Sequence, residues 1–243
     1  MPKKISLKQF LMRTGKFSKA FEAEKAVSGG KVLVDNKIIR NKNYFFDQKK
    51  SIVKYEGEKL KRAAKLYFLM NKPAGYICQK SPEEKSVYDI IKKSEIESEL
   101  SSSLFAVGRL DKDAEGLIVI TNDGMLANKI MKPENKISKK YYVILESSID
   151  IKKIKMLEKE VVINVDNEPY KTKPGKVEIL GPKQLFLSIS EGKKRQIKKM
   201  LEAIGNKAVY LKRVSIGSLQ LGNLKPGEIK KISREEILRK LFC

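Results

Sequence analysis

The segment that most constrains the fold of this chain is residues 107–124, VGRLDKDAEGLIVITNDG. Residues 117–120 form an apolar run rich in β-branched side chains, and residues 122–124 have the composition of a turn. The charged groups that precede the run are Arg109, Asp111, Asp113 and Glu115. The pattern therefore predicts a buried strand with a charged loop before it and a turn after it.

The net charge of the chain indicates an anionic partner. Its 243 residues include 52 Lys or Arg against 29 Asp or Glu, a formal charge of +23. Neutralisation of phosphates supplies most of the non-specific affinity for nucleic acids, so a nucleic-acid backbone is the simplest partner. A membrane surface is disfavoured as the partner, because the sequence has neither a basic amphipathic helix nor a lipid-attachment signal.

Several classes of chemistry are excluded or disfavoured by composition. The chain has no histidine, which removes histidine general acids, Ser-His triads and histidine zinc sites. The two cysteines, Cys78 and Cys243, are far apart, so neither a disulfide framework nor a metal cluster is expected. No apolar run approaches the roughly 18 residues of a membrane span, and the N-terminus lacks the apolar core of a signal peptide. We therefore expect an intracellular, cytoplasmic protein.

The N-terminal quarter is the most basic part of the chain. Residues 1–62 contain 17 Lys or Arg and 6 Asp or Glu. The spacing of its apolar residues predicts a short helix near residues 5–11 and a second helix that Ser18 could cap and residues 29–30 end. A tight β-hairpin is predicted around residues 35–36, Asp-Asn. Residues 57–64 are the predicted linker to the rest of the chain.

Beyond the linker, strand and helix patterns are mixed. Strands are predicted at residues 66–70, 117–120, 139–145, 169–180, 184–190, 209–211 and 219–221. Helices are predicted around residues 87–91, 125–131, 149–163 and 195–204, and a loop at residues 101–103. Leu126, Ile130 and Met131 are expected on the apolar side of the helix over 125–131.

Three ordered motifs resemble those of a known enzyme family. They are NKPAG at residues 71–75, GRLD with the following GL and TNDG at residues 108–124, and EGKKRQIKK at residues 191–199. With KKYYV between the last two, the motifs resemble those of pseudouridine synthases, in the branch that modifies ribosomal RNA. The resemblance implies an α+β catalytic domain over residues 65–243, with a mixed, largely antiparallel sheet flanked by helices.

Residues 1–62 resemble a second family, the RNA-binding domain named after the fourth small-subunit ribosomal protein. In that family a helix pair and a hairpin present a basic face to structured RNA. The resemblance implies RNA contacts for Lys8, Arg13, Lys16, Lys19, Lys25 and Lys31. The alternative for each single cation is an ordinary solvated surface charge.

The resemblance also implies the residues of the reaction centre. Asp111 would be the catalytic carboxylate, either as a nucleophile or as a base that takes a ribose proton. Tyr141 would stack on the target base, although alternation along the strand leaves Tyr142 as an alternative. Lys198 would keep Asp111 ionised. Asp113 and Glu115 match no role in the family, and we interpret them as residues that solvate the loop.

Substrate contacts are implied for a further set of residues: Lys72, Arg109, Leu110, Arg195 and Leu211. Arg109 and Arg195 would contact RNA or brace the loop. Leu211 would pack beneath the base, with a plain core position as the alternative. Lys72 in NKPAG could equally be the end of a strand before a turn.

The implied function is isomerisation of a flipped-out uridine to pseudouridine in ribosomal RNA, without a metal or cofactor. The segment KTKPGKVEIL is similar to members that act on the small subunit, which favours 16S rRNA over 23S rRNA. Two other classes stay open: a non-catalytic RNA-binding ribosome-assembly factor and a DNA-binding protein. We expect a monomer whose partner is ribosomal RNA or an assembling ribosomal particle.

Overall fold

The structure is a computed structural model that describes residues 4–17, 19–96 and 98–242. It divides into two compact units. The first unit comprises residues 1–66 and 91–105, and the second comprises residues 67–90 and 106–243. Ser18, the predicted cap of the second helix, lies outside the described residues.

The elements are numbered in chain order. The strands are β1 (Lys4–Ser6), β2 (Val32–Val34), β3 (Lys37–Ile38), β4 (Phe45–Asp47), β5 (Val53–Tyr55), β6 (Glu58–Lys59), β7 (Tyr67–Lys72), β8 (Phe105–Val107), β9 (Glu115–Thr121), β10 (Lys139–Leu145), β11 (Val162–Val165), β12 (Glu168–Lys171), β13 (Lys176–Gly181), β14 (Gln184–Ile189), β15 (Ala208–Ile216), β16 (Leu219–Gln220) and β17 (Ile229–Lys231). The helices are α1 (Leu7–Leu11), α2 (Ala20–Ser28), α3 (Val87–Lys93), α4 (Ser98–Ser103), α5 (Gly124–Met131), α6 (Ile151–Met156), α7 (Gln196–Ala203) and α8 (Arg234–Phe242).

The first unit contains the predicted helix pair and hairpin. Helix α2 ends at Ser28, directly before the two predicted terminating glycines. Strands β2 and β3 pair antiparallel across Asp35 and Asn36, whose φ angles of 50° and 65° suit a tight hairpin turn. The strand order is β3-β2-β5-β6. Leu7, Leu11 and Val27 are fully buried, so α1 and α2 share one apolar core.

The segment around residues 101–103 is helical, so the prediction of a loop there is wrong. Helix α4 covers Ser98–Ser103. Serine has low helix propensity because its hydroxyl competes for backbone groups. Here the Ser103 hydroxyl donates to the Leu100 carbonyl at 2.7 Å, and the Ser102 hydroxyl donates to the Gly15 carbonyl at 2.8 Å. These bonds keep the hydroxyls satisfied within a helical segment.

The second unit is built on one large sheet with the order β13-β14-β10-β15-β9-β7-β17. Strand β16 pairs with β15 at the side of this path. Neighbouring strands along the path are antiparallel except β15 and β9, which run parallel. The predicted α+β class, with a mixed and largely antiparallel sheet, is confirmed.

Burial along the strands explains where the core lies. Residues 117–120 of β9 are completely buried, as the apolar run predicted. Strand β10 instead alternates, with Tyr141, Val143 and Leu145 buried and the residues between them half-buried. The buried side of β10 faces apolar residues of α7, which confirms the predicted helix over 195–204.

Some predicted boundaries are wrong. Helix α6 ends at Met156, and residues 162–165 form β11 in an antiparallel pair with β12. In β11, Val162 is exposed and Ile163 is buried, which is the period of a strand. Met131 is 54% exposed rather than on the apolar side of α5. Strand β15 is much longer than the predicted 209–211.

Across 4–17, 19–96 and 98–242, no helix combines the length and apolar character that crossing a membrane requires.

Candidate active site

Residues 108–114, called the Asp111 loop below, are held by hydrogen bonds to the turn that follows β7. The Gly75 amide donates to the Lys112 carbonyl at 2.7 Å, and the Leu110 amide donates to the Cys78 sulfur at 3.4 Å. Within the loop, the Ala114 amide donates to the Asp111 carbonyl at 3.2 Å. The NKPAG motif and the GRLD motif are therefore parts of one local structure.

Lys72 is a buried brace of this structure. Its side chain is 0% exposed, and its ammonium donates to the carbonyls of Pro73 at 2.7 Å, Tyr76 at 2.7 Å and Lys112 at 3.2 Å. Burial lowers the pKa of Lys72 from its ordinary value, and nearby acidic groups, Asp111 among them, partly oppose that shift. The burial contradicts the prediction that Lys72 contacts substrate, since its charge is used to hold the backbone on which the Asp111 loop rests.

The carboxylate of Asp111 itself is half-buried and has neither an ion pair nor a hydrogen bond within the described part of the chain. A carboxylate that is partly withdrawn from water and lacks a partner can react with a ligand without first breaking an internal bond. This availability distinguishes Asp111 from the two acidic residues that follow it.

Lys198 forms its ion pair with Asp113 rather than with the predicted Asp111. The Lys198 side chain is 11% exposed and that of Asp113 is 63% exposed. Burial alone would raise the pKa of Asp113, but the hydrogen bond and charge of Lys198 outweigh it and hold the pKa below its usual range. Asp113 therefore links α7 to the Asp111 loop.

Glu115 is the second acidic residue whose predicted role is wrong. Its carboxylate lies 2.8 Å from the ammonium of Lys212, and the two side chains are 13% and 27% exposed. The sequence suggested that Glu115 and Asp113 only solvate the loop, but each of them forms an ion pair. Both connect the loop or its following strand to a neighbouring element.

Tyr141 and Tyr142 lie on opposite faces of the sheet. Tyr141 is 7% exposed and belongs to one apolar cluster with Leu211, Ala114 and the partly buried Leu110. Tyr142 instead contacts Phe186 and Tyr210, with ring centroids 5.9 and 6.1 Å apart. The face of Tyr141 is therefore the one that carries apolar residues of the Asp111 loop and Leu211 together.

The turn before α7 is anchored by Glu191. This buried carboxylate accepts hydrogen bonds from the Tyr170 hydroxyl at 2.7 Å, the Lys173 amide at 2.9 Å and the Gln196 side-chain amide at 2.6 Å. Arg195 follows with a φ of 55°, a left-handed conformation that is unusual for a side chain of this size. Arg195 and Arg109 are both exposed, and the charge of Arg195 contributes to lowering the pKa of Asp113.

Arg213 is a site residue that the sequence reasoning missed. It is 1% exposed, and its Nε donates to the Leu117 carbonyl at 2.7 Å while one terminal nitrogen donates to the Gly108 carbonyl. The signal was present in LKRVSI, where Arg213 is in phase with the buried Leu211 on a strand. A cation at a buried strand position indicates a specific internal role.

In the first unit, the predicted cations divide into two groups. Three of them pair with carboxylates: Lys8 with Glu24 at 2.5 Å, Lys16 with Glu58 at 3.2 Å and Lys31 with Glu56 at 2.6 Å. Three others are exposed and pair with no carboxylate that the structure describes: Arg13, Lys19 and Lys25. The second group is the more available to an outside anion.

Comparison with known proteins identifies the class. The family model described as RNA pseudouridylate synthase matches residues 66–203. A solved structure described as a crystal structure of pseudouridylate synthase matches with a TM-score of 0.68 at 29% identity, covering 97% of this chain and 99% of that one. The chain belongs to the RNA pseudouridylate synthase family and is an isomerase, as the three motifs predicted.

Curated relatives define the branch. The chain is 36% identical to the uncharacterized RNA pseudouridine synthase YtzG of Bacillus subtilis over 222 residues, which are 89% of this chain and 90% of the relative. It is 34% identical to the ribosomal small subunit pseudouridine synthase A of Escherichia coli K12 over 218 residues, 88% of this chain and 91% of the relative. These matches confirm the predicted branch of the family.

Proposed function

We propose that this protein isomerises a uridine of ribosomal RNA to pseudouridine, and that its substrate is 16S rRNA of the small subunit. The observation that carries the proposal is the unpartnered Asp111 carboxylate, on a braced loop beside the apolar cluster of Tyr141 and Leu211. The choice of the small subunit is supported by the relatives named ribosomal small subunit pseudouridine synthase A, which match about nine-tenths of both chains.

The reaction breaks a glycosidic bond, rotates the freed uracil and joins carbon 5 of the base to the sugar. No electron is gained or lost overall, so the residues must supply a reactive oxygen and a place for the base. Asp111 supplies the oxygen, either to form a bond to the nucleoside or to accept a ribose proton. We expect no metal or cofactor to take part.

The target base must leave its stack to reach Asp111. Flipping a base costs a few kcal/mol, and stacking on an aromatic ring returns about 1–3 kcal/mol. Tyr141 is the ring on the face that also carries Leu110 and Ala114 of the Asp111 loop. Leu211 on β15 pairs in register with Val143, which lies two residues beyond Tyr141 on β10. In the proposal Tyr141 and Leu211, with Leu110, contact the base, while the exposed Arg109 and Arg195 contact RNA phosphates.

The first unit would supply affinity that does not depend on base identity. The proposal assigns it to the RNA-binding family suggested by its sequence, with residues 1–62 as the domain. Its helix pair and hairpin are consistent with that assignment. The exposed cations Arg13, Lys19 and Lys25 would make phosphate contacts first, and the ion-paired Lys8, Lys16 and Lys31 could exchange a carboxylate for a phosphate. We place the enzyme in the cytoplasm, acting as a monomer on rRNA or an assembling particle.

The test is chemical mapping of pseudouridine in both large rRNAs from cells that lack the protein. Cells would be complemented with wild type, with Asp111→Asn, or with Asp166→Asn, a control on the exposed turn between β11 and β12. We expect one 16S site to disappear and to return with wild type and the control, but not with Asp111→Asn. Loss of a 23S site would instead assign the large subunit.

A second measurement separates chemistry from binding. Purified Asp111→Asn protein should bind the same RNA with unchanged affinity but form no pseudouridine. If no rRNA site changed in the cells and the wild-type protein bound RNA without converting uridine, a non-catalytic assembly factor would replace the proposal.

A further inference from the structure

Arg213 is a buried cation that the proposed reaction does not use. Its guanidinium is enclosed and donates only to backbone carbonyls, those of Gly108 and Leu117. Within 4–17, 19–96 and 98–242, no carboxylate pairs with it. Burial of a charge without a counter-ion costs free energy, so we looked for a functional reason for a buried arginine at this position of the sheet. One of the two carbonyls that it binds belongs to the first residue of the Asp111 loop and the other to β9, the strand that follows the loop.

The register of the sheet gives Arg213 a central position. It lies opposite Tyr141 on β10 and opposite Gly116 on β9. The pairing of β10 with β15 shifts register between Lys140 and Tyr141, at the level of Arg213. Such irregularities re-aim side chains and are frequent beside active sites. Arg213 therefore joins the strand of Tyr141 to the strand that follows the Asp111 loop.

Two glycines, one at the start of the loop and one on the strand that follows it, fit the side chain and the backbone of Arg213. Gly116 has a φ of 120°, and a Cβ there would lie 2.3 Å from the Arg213 carbonyl oxygen and 2.5 Å from its amide nitrogen. Gly108 has a φ of 71°, and a Cβ there would lie 3.7 Å from the guanidinium. Gly116 therefore admits the close approach of β15, and Gly108 turns its carbonyl toward the guanidinium.

We propose that Arg213 is a positioning residue that sets the placement of Asp111 relative to Tyr141, by binding from β15 both the first residue of the Asp111 loop, Gly108, and the strand that follows the loop, at Leu117. The inference deepens the proposed function and rests on it. A guanidinium suits this task because its planar fork presents several N–H groups in fixed directions. A lysine ammonium at the same position would keep the charge, but its three N–H groups share one nitrogen, so it cannot span two carbonyls that Arg213 binds through two separate nitrogens unless the backbone moves.

The expected effect is on the rate rather than on RNA affinity. Arg213 is almost fully buried, so its replacement should leave the RNA-contacting surface unchanged, whereas misplacement of a reacting group by about 1 Å reduces a rate by about 100-fold. In single-turnover conversion of an rRNA fragment, we therefore expect Arg213→Lys to react about 100-fold more slowly than wild type. Its dissociation constant for the same fragment should stay within about twofold of the wild-type value.

A second variant tests the same link from the loop. Gly108→Ala adds only an ordinary contact beside the guanidinium, but its backbone is strained at positive φ, which should move the Gly108 carbonyl. We expect the same separation of rate from affinity. Ile216→Ala is the matched control, because Ile216 is a buried residue of the same strand whose register partners are Lys139 on β10 and Leu219 on β16 rather than β9. It should lose stability but keep the wild-type rate below its unfolding temperature.

The proposal is overturned if both folded variants react within threefold of Ile216→Ala, or if rate and RNA affinity fall in parallel. If Arg213→Lys does not fold, Gly108→Ala decides the question alone. A wild-type protein that forms no pseudouridine in any rRNA would overturn the proposed function and this inference together. An active wild type with fully active variants would overturn the inference only.

Discussion

Lys198 on α7 is paired with Asp113, two residues beyond Asp111 on the same loop. The pair attaches the loop to the helix of the third motif and leaves the Asp111 carboxylate available. We expect Asp113→Asn and Lys198→Met each to lower the single-turnover rate by about tenfold, because each frees the loop from α7. The double variant should be little slower than either single one. Fully additive losses would contradict a shared role.

The pair of Lys198 and Asp113 should make the stability of the protein depend on pH. The folded-state pKa of Asp113 is below its unfolded value of about 3.9, so the unfolded chain binds more protons in this range. The contribution of Asp113 to the free energy of unfolding is therefore complete above that value and is lost as the pH falls through the lowered folded pKa. Urea titrations at pH 3 to 6 should show the advantage of wild type over Asp113→Asn shrinking toward acid. Because Asp113 is largely exposed, we expect this difference in the free energy of unfolding to be under about 1 kcal/mol.

The partner of Lys198 illustrates what the sequence could not supply. Asp111 and Asp113 lie in one loop, and periodicity has no resolution between residues two positions apart outside a regular element. The motif resemblance located the lysine and the loop together, but only the side-chain geometry selects Asp113. Regular features were predictable for the opposite reason: the all-apolar run at 117–120 and the Asp-Asn turn at 35–36 depend on local chemistry alone.

Lys72 is predicted to matter through stability and loop geometry. We expect Lys72→Met to lower the free energy of unfolding by about 1–3 kcal/mol, because three carbonyls lose the hydrogen bonds of a fully buried ammonium. It should also lower the single-turnover rate more than it lowers RNA affinity. Lys112→Met is the control, since the Lys112 side chain only forms an exposed ion pair with Glu84. It should change stability by less than about 1 kcal/mol. Equal effects of the two variants would rule out the brace.

One physical reason explains why the sequence interpretation assigned Lys72 to substrate contact and overlooked Arg213. Lysine and arginine are almost always exposed, so a cation in a basic chain is first interpreted as a surface contact. Both are buried here with their N–H groups bound to backbone carbonyls, and in each case one of those carbonyls belongs to the Asp111 loop. The strand phase of Arg213 with Leu211 was visible in the sequence, whereas the folding of residues 73–76 around Lys72 was not.

Because Tyr141 and Tyr142 lie on opposite faces of the sheet, we expect their replacement to have different effects on rate and stability. Tyr141→Leu should lower the single-turnover rate by about 10- to 100-fold, because it removes the ring on the face that carries Leu110 and Ala114 of the Asp111 loop. Tyr141→Phe should keep most of the rate, since a phenyl ring still stacks. Tyr142→Leu should lose stability through its two aromatic contacts, at about 0.5–1.5 kcal/mol each, and stay within threefold of the wild-type rate. A slow Tyr142→Leu with an active Tyr141→Leu would assign the stacking role to the other face.

The exposed cations of the first unit should determine the salt dependence of RNA binding. Each phosphate contact contributes about 0.7–0.9 to the slope of the logarithm of affinity against the logarithm of salt concentration. Replacing Arg13, Lys19 and Lys25 together by glutamine should therefore reduce the magnitude of the slope by about 2–3, measured by filter binding with Asp111→Asn protein. The rate at saturating RNA should not change, because the reacting groups lie in the second unit.

A charge-matched control distinguishes local contacts from net charge. Lys152, Lys155 and Lys159 are exposed residues of the second unit at or just after α6, and their replacement by glutamine removes the same charge. If only total charge attracts the RNA, both triple variants should lower the slope equally. A larger loss in the first-unit triple would locate the phosphate contacts there, whereas a larger loss in the control would place the RNA on the second unit and contradict the assignment of residues 1–62.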